Sequence, residues 1–158
     1  MPSLQTLVLG GEAIGQDNVQ KWGKTLQLMV SYGPSEGTIC CATHQAIQEP
    51  GVDSRSEDLG VSVGSVMWLT EINNPDRLVP VGCVGEILLE GAILARGYHN
   101  DVERNQVAFI VDPAWSHTVA PRMGSRRFYR TGDLARQLSN GRLQIIGRRD
   151  HQVKVRGQ

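Results

Sequence analysis

The sequence predicts an α/β chain in which a parallel βαβ unit is followed by an antiparallel β region. Two observations carry this. Residues 4–31 run through an apolar stretch, a weak helical stripe and a second apolar stretch, at the spacing of one strand–helix–strand unit. Near the other end, Ser139-Asn140-Gly141 separates two β-type runs, and an Asn-Gly turn in that setting is the strongest short-range hairpin signal.

Residues 4–9 (LQTLVL) read as a buried strand ended by Gly10-Gly11. Residues 14–24 place Ile14, Asn18, Val19 and Trp22 near one face of a helix that Gly15 and Gly23 weaken. Residues 26–31 (LQLMVS) read as a second strand, joined to the first by a crossover that is almost always right-handed. In open α/β sheets ligands bind beyond the carboxyl ends of the strands. The turns Gly10-Gly11-Glu12-Ala13 and Tyr32-Gly33-Pro34-Ser35-Glu36 are therefore expected on one edge, facing one pocket.

Residues 44–64 are polar and hold four glycines or prolines, so they read as a connection. Residues 65–72 (SVMWLTEI) and 85–91 (GEILLEG) read as strands, the first closed by the turn residues 73–76. Asp101 is placed to cap a short helix running through Val107. Residues 112–127 read as an irregular loop, and residues 128–138 and 142–149 as the arms of the final hairpin.

A chain of 158 residues is long enough for one domain that buries roughly two thirds of its unfolded surface. Sixteen Lys and Arg balance 16 Asp and Glu, so no net field draws the chain to nucleic acid or an anionic membrane, and neither is expected as a partner. Cys40, Cys41 and Cys83 are odd in number and two are adjacent, which suits neither a disulfide framework nor a zinc site. They read as reduced, buried thiols. No segment approaches the roughly 18 apolar residues of a membrane span, and residues 1–4 lack the charged start of a signal peptide, so a cytoplasmic location is expected.

Residues 30–41 (VSYGPSEGTICC) hold Gly33, Ser35 and Gly37 as a GxSxG, which serves either a hydrolase nucleophile or a turn that holds phosphate and metal. A nucleophile elbow needs a helix straight after its serine. Residues 38–43 are β-branched and cysteine-rich, and Pro34 fixes φ where the sharp turn needs freedom. Asp112 or Asp133 and then His151 do follow in a suitable order, so chain order alone leaves the hydrolase open.

Four stretches in order, SYGPSEG (31–37), GEILLEGAILARGYHND (85–101), YRTGDLAR (129–136) and GRRDHQVKVRGQ (147–158), resemble the adenylate-forming, AMP-binding enzymes. Specifically, they resemble the adenylation domain of nonribosomal peptide synthetases, over essentially the whole chain. The Gly-Arg-x-Asp-x-Gln-Val-Lys pattern at 147–154 looks more like peptide synthetases than acyl-CoA ligases or luciferases. Ligases of acyl or aryl acids remain the close alternative, and a non-catalytic nucleotide-binding module is a reading of a different class.

The resemblance implies ATP-dependent activation of an amino acid. Its carboxylate attacks the α-phosphorus, magnesium pyrophosphate leaves, and the acyl adenylate passes to the phosphopantetheine thiol of a peptidyl carrier domain, with a condensation domain as a further neighbour. Catalytic positions fall on Ser35, a donor to a phosphate oxygen, and Glu36, a ligand for Mg2+, which prefers carboxylate oxygen. Gly11, Glu12 and Ala13 would lie along adenine opposite Tyr32, Asp133 would accept the ribose hydroxyls, and Arg148 would add a ribose or phosphate contact. Val8, Gly10, Ser31, Ile39 and Cys40 match acyl-pocket positions; small or apolar and uncharged, they suit a modest, uncharged side chain.

Asp150 falls at the family's hinge, where a few residues absorb backbone rotation. Lys154 alternates with Val153 and Val155 and reads equally as a solvated strand face. Glu86, Glu90, Arg96 and Tyr98 read as structural contacts. On the family pattern residues 1–149 are the rear half of the large N-terminal subdomain, and 150–158 are the hinge and the start of the small C-terminal subdomain, an incomplete domain. The family's lysine-bearing phosphate loop has no counterpart in these residues, so the polypeptide alone is expected to be inactive, because positioning in this chemistry is collective.

Overall fold

The computed structural model describes residues 4–12, 14–46, 57–119, 121 and 123–150. Strand β1 (Thr6–Gly10), helix α1 (Gln16–Trp22) and strand β2 (Gln27–Tyr32) form the expected unit, and β1 and β2 run parallel with Gly10 opposite Ser31. Leu7 and Leu9 of β1 pack with Ile14, Val19, Trp22, Leu28 and Val30. Asn18, expected on the buried face of α1, is exposed. An amide in that apolar seam would lose its water without gaining a partner.

The polar stretch read as a connection instead contains two strands, β3 (Ala42–Ala46) and β4 (Asp58–Ser62). Strands β5 (Val66–Glu71), β6 (Asn74–Leu78) and β7 (Val84–Glu90) follow, then α2 (Val102–Ala108), β8 (Phe109–Val111), α3 (Ser116–Val119), β9 (Arg127–Gln137) and β10 (Leu143–Arg148). The sheet runs β1-β2-β3-β4-β10-β9-β7-β5-β6, with β8 pairing β9 beside that path. Apart from β1 with β2, the pairings among the described residues are antiparallel.

Strand β7 is buried from Gly85 onward, so it carries apolar side chains on both faces. Ile87 and Leu89 join a core with Leu69, Phe109, Tyr129, Ala135 and Leu143, while Leu88 faces Trp115 and Phe128 on the other side. The period of two of a strand sends successive side chains to opposite faces. Of the residues expected to form a turn at 73–76, Asn73 does lie in a turn, with Ile72, whereas 74–76 begin β6, where Asn74 lies opposite Glu71 of β5. Pro75 is tolerated there because β6 ends the sheet and a proline on an edge interrupts no ladder.

The region read as an irregular loop is anchored. Trp115 is 8% exposed and its Nε1 donates to the Pro75 carbonyl at 2.9 Å, which holds the four-residue α3 against the sheet. Of the free thiols, Cys41 is buried as expected, whereas Cys40 is half-buried and Cys83 exposed. Among the described residues no helix is long and apolar enough to cross a membrane.

Asp101 caps α2 as expected, its Oδ1 accepting from the Arg104 amide at 3.0 Å. Asp101→Ala should cost about 1 kcal/mol, the usual contribution of such a cap. The urea midpoint of the full-length protein would read it, and an unchanged midpoint would show that the cap contributes nothing.

Candidate active site

β2 leads directly into the antiparallel β3, with Tyr32 opposite Ala42, so residues 33–41 form a loop between paired strands. It opens with a single 3-10 turn, Ser35–Gly37, after which Thr38 and Ile39 take left-handed φ values of 56° and 60°. A Cβ on Gly33 would lie 2.7 Å from the Ile39 carbonyl oxygen, so glycine lets the loop fold back on itself. No α-helix leaves Ser35, and the nucleophile-elbow geometry of a GxSxG hydrolase is absent from this turn. The Ser35 hydroxyl is exposed and has no hydrogen-bond partner among the described residues.

β9 gives one edge to β7 and shares the other between β8, which pairs Arg127 to Tyr129, and β10, which pairs Asp133 to Gln137. The Thr131-Gly132-Asp133 segment sits where that edge changes partner. Gly132 has φ 73°, and a Cβ there would come within 3.1 Å of the Arg148 guanidinium, so glycine permits both the bend and the arginine's approach. Thr131 Oγ1 accepts from the Asp133 amide at 3.0 Å and donates to the Ile87 carbonyl at 2.9 Å. The buried Glu86 also braces the bend. Its Oε1 accepts from the Gly132 amide at 3.2 Å and its Oε2 from Arg130 at 2.6 Å.

Asp133 is the meeting point of the site. Its Oδ2 accepts from the Tyr32 hydroxyl at 2.5 Å across 101 residues of sequence, and its Oδ1 accepts from Arg148 Nη1 at 2.8 Å. A carboxylate offers about four lone-pair sites, two of them used by these bonds. Burial, and next the Asp133 carboxylate, push the Tyr32 phenol well above its ordinary range, so it is a neutral donor. Arg148 also grips Asp150 through Nε and Nη2, both at 2.8 Å. These two carboxylates, Asp150 first, raise its pKa and keep it charged.

Glu36 lies at the same end of β2, and its Oε1 accepts from the Tyr98 hydroxyl at 2.5 Å. Tyr98, read from the sequence as a structural contact, makes that contact with Glu36 across 62 residues, which no local pattern marks. Val8 and Gly10 lie on the face of β1 opposite the α1 contacts, beside Met29 and Ser31, and the Ser31 hydroxyl donates to Cys40 Sγ at 3.2 Å. Four of the five expected pocket positions thus share one side of the sheet. Ile39 is not drawn in with them; its side chain is 72% exposed. Gly11 and Glu12 are exposed at the end of β1, whereas Ala13, His151 and Lys154 lie outside the described residues.

The family described as AMP-binding enzyme matches residues 1–99. The chain belongs to that family. Its fold agrees: the Vibrio cholerae adenylation domain AlmE, solved in complex with glycyl-adenosine-5'-phosphate, superposes with a TM-score of 0.76 at 32% identity, over 99% of this chain and 28% of that one. The protein PA1221, which contains adenylation and PCP domains and was solved bound to a vinylsulfonamide inhibitor, gives a TM-score of 0.74 at 31% identity, over 98% of this chain and 26% of that one. Among sequence relatives, the nonribosomal peptide synthetase atnA of Emericella nidulans is 46% identical over 158 residues, all of this chain and 2% of that protein. The chain thus spans a small part of the AMP-binding relatives it resembles.

The donor set around Glu36 suits a hard cation shared with a ligand. Mg2+ is commonly held by one or two carboxylates together with substrate phosphates and water. Among the described residues no group of three or more His, Cys, Asp or Glu could hold a metal unaided. A single carboxylate beside an exposed serine hydroxyl fits the shared arrangement.

Proposed function

We propose that the chain is a segment of a nonribosomal peptide synthetase adenylation domain, which in the full-length protein joins an amino acid to AMP from ATP and releases pyrophosphate. The contact between Tyr32 and Asp133 carries this reading. It brings the turn holding Ser35 and Glu36 to the same edge as the carboxylate suited to vicinal hydroxyls. Asp133 would accept the ribose hydroxyls, Tyr32 would present its ring to adenine with Gly11 and Glu12 on the far side, and Arg148 would add a donor to ribose or phosphate.

Ser35 would donate to a phosphate oxygen. Glu36 would hold Mg2+, which when bound neutralises charge on the phosphates as pyrophosphate departs. Val8, Gly10, Ser31 and Cys40 would line the acyl pocket for a modest, uncharged side chain. Asp150, held by Arg148, would mark the hinge, and the acceptor of the acyl group would be a phosphopantetheine thiol on a carrier domain. PA1221, which pairs adenylation and PCP domains, supports that partner by analogy.

Exchange of labelled pyrophosphate into ATP tests the proposal. The full-length protein should catalyse it in the presence of one or a few amino acids, and the 158-residue chain alone should not. Full-length protein that exchanges with no amino acid would overturn the activity; exchange by the isolated chain would overturn the collective positioning assumed for it.

A further inference from the structure

The two carboxylates of the site are held by different chemistry. Asp133 faces the Arg148 guanidinium, so its charge is largely compensated within the protein. Glu36 faces phenols: Tyr98 donates to Oε1 at 2.5 Å, and the Tyr129 hydroxyl lies 3.4 Å from that of Tyr98. A phenol orients a carboxylate through a charge-assisted hydrogen bond while leaving its negative charge available to a cation.

Tyr98 is itself fixed. The Asn105 side chain accepts from the Tyr98 amide at 2.7 Å and donates to its carbonyl at 2.8 Å. The Arg104 guanidinium lies 3.9 Å from the centre of its ring. Gly97 makes this possible, since a Cβ there would meet Asn105 Oδ1 at 2.6 Å. The turn carrying Glu36 is attached to this segment independently of the hydroxyl: the Ala95 amide donates to the Glu36 carbonyl at 2.7 Å, and Thr38 Oγ1 to the Ile93 carbonyl at 2.6 Å. The phenol is therefore not needed to dock the turn. What it adds is a bond that fixes the direction of the carboxylate on the three-residue turn.

We propose that Tyr98, backed by Tyr129, is a positioning residue that aims the Glu36 carboxylate at the divalent cation; the inference rests on the assignment of Glu36 to that cation. Partners that orient a metal-binding carboxylate typically contribute 10–100-fold to metal affinity.

The test uses the full-length protein saturated with α,β-methylene-ATP, with Mn2+ affinity read by electron paramagnetic resonance. Tyr98→Phe should weaken Mn2+ binding by about 10-fold, leaving metal-free nucleotide affinity unchanged. Glu36→Gln should weaken Mn2+ binding at least as much. Unchanged Mn2+ affinity in Tyr98→Phe alongside a loss in Glu36→Gln would overturn the role of Tyr98 and keep that of Glu36. No loss in Glu36→Gln would overturn the assignment beneath it. Equal losses of metal, nucleotide and thermal stability in Tyr98→Phe would also overturn the proposal, by reducing the hydroxyl to a structural tie. Should Tyr98→Phe fail to fold, Asn105→Ala keeps the hydroxyl but loosens its support. A smaller loss of Mn2+ affinity is then expected, and no loss would contradict the role.

Discussion

Asparagine in place of Asp133 is expected to raise the KM for ATP of the full-length protein by about 100-fold. A hydrogen bond to a charged group is worth about 1.5–3 kcal/mol. Two ribose hydroxyls losing a carboxylate for a neutral amide would forfeit about 3 kcal/mol, roughly two powers of ten. The amide also offers only one acceptor oxygen, whereas the carboxylate serves Tyr32 with one oxygen and Arg148 with the other. Because the ribose is held alike in the ground and transition states, the loss should fall on KM, with kcat changed much less. Arg148 keeps its two bonds to Asp150, so the local fold should survive. Steady-state pyrophosphate exchange at varied ATP measures the effect, and a KM within twofold of the parent would contradict the role of Asp133.

The second large effect is on stability. Arg126 and Glu90 form an ion pair whose side chains are only 3% and 8% exposed, with bonds of 2.9 and 2.7 Å between guanidinium and carboxylate. Trp68 Nε1 donates to the same carboxylate at 2.9 Å, and Arg126 also donates to the Ser116 carbonyl. Glu90→Ala removes this carboxylate from a buried, charged guanidinium, and breaking such a pair costs about 3–5 kcal/mol. Replacing both partners by apolar residues of similar size, Glu90→Leu with Arg126→Met, should restore most of that loss, since desolvation of the pair offsets much of its attraction. Urea unfolding of the full-length variants measures both. A change below about 1 kcal/mol for the single substitution would mean that the pair is far better solvated than its geometry implies.

How far the sequence could be read depended on whether the cause of a feature was local. The final hairpin was legible because Gly141 supplies φ 82° and Asn140 Oδ1 accepts from the Arg142 amide, both within the turn itself. The Asp101 cap and the βαβ spacing were legible for the same reason. Strands β3 and β4 were hidden because their buried positions include His44 and Asp58, so the alternation of apolar and polar residues is broken. Gly60 adds a left-handed φ of 77° in the middle of β4, where the backbone of Thr43 comes too close for a side chain. Residues 112–127 looked irregular because Trp115 and Arg126 find their partners 40 and 36 residues away.

At the site, residue types were legible and partnerships were not. A serine and a glutamate after a glycine-rich turn, and an aspartate after Thr-Gly, advertise their chemistry. That Glu36 meets Tyr98, and that Glu86 braces the bend carrying Asp133, depends on where β7 and β9 lie in the sheet.

A crystal structure of the full-length protein with a non-hydrolysable acyl-adenylate analogue tests the central claim most directly. Both ribose hydroxyls should lie about 3 Å from the Asp133 carboxylate, with adenine against the Tyr32 ring and the phosphate oxygens toward Ser35. A nucleotide bound away from that edge of the sheet, with neither ribose hydroxyl in contact with Asp133, would contradict it.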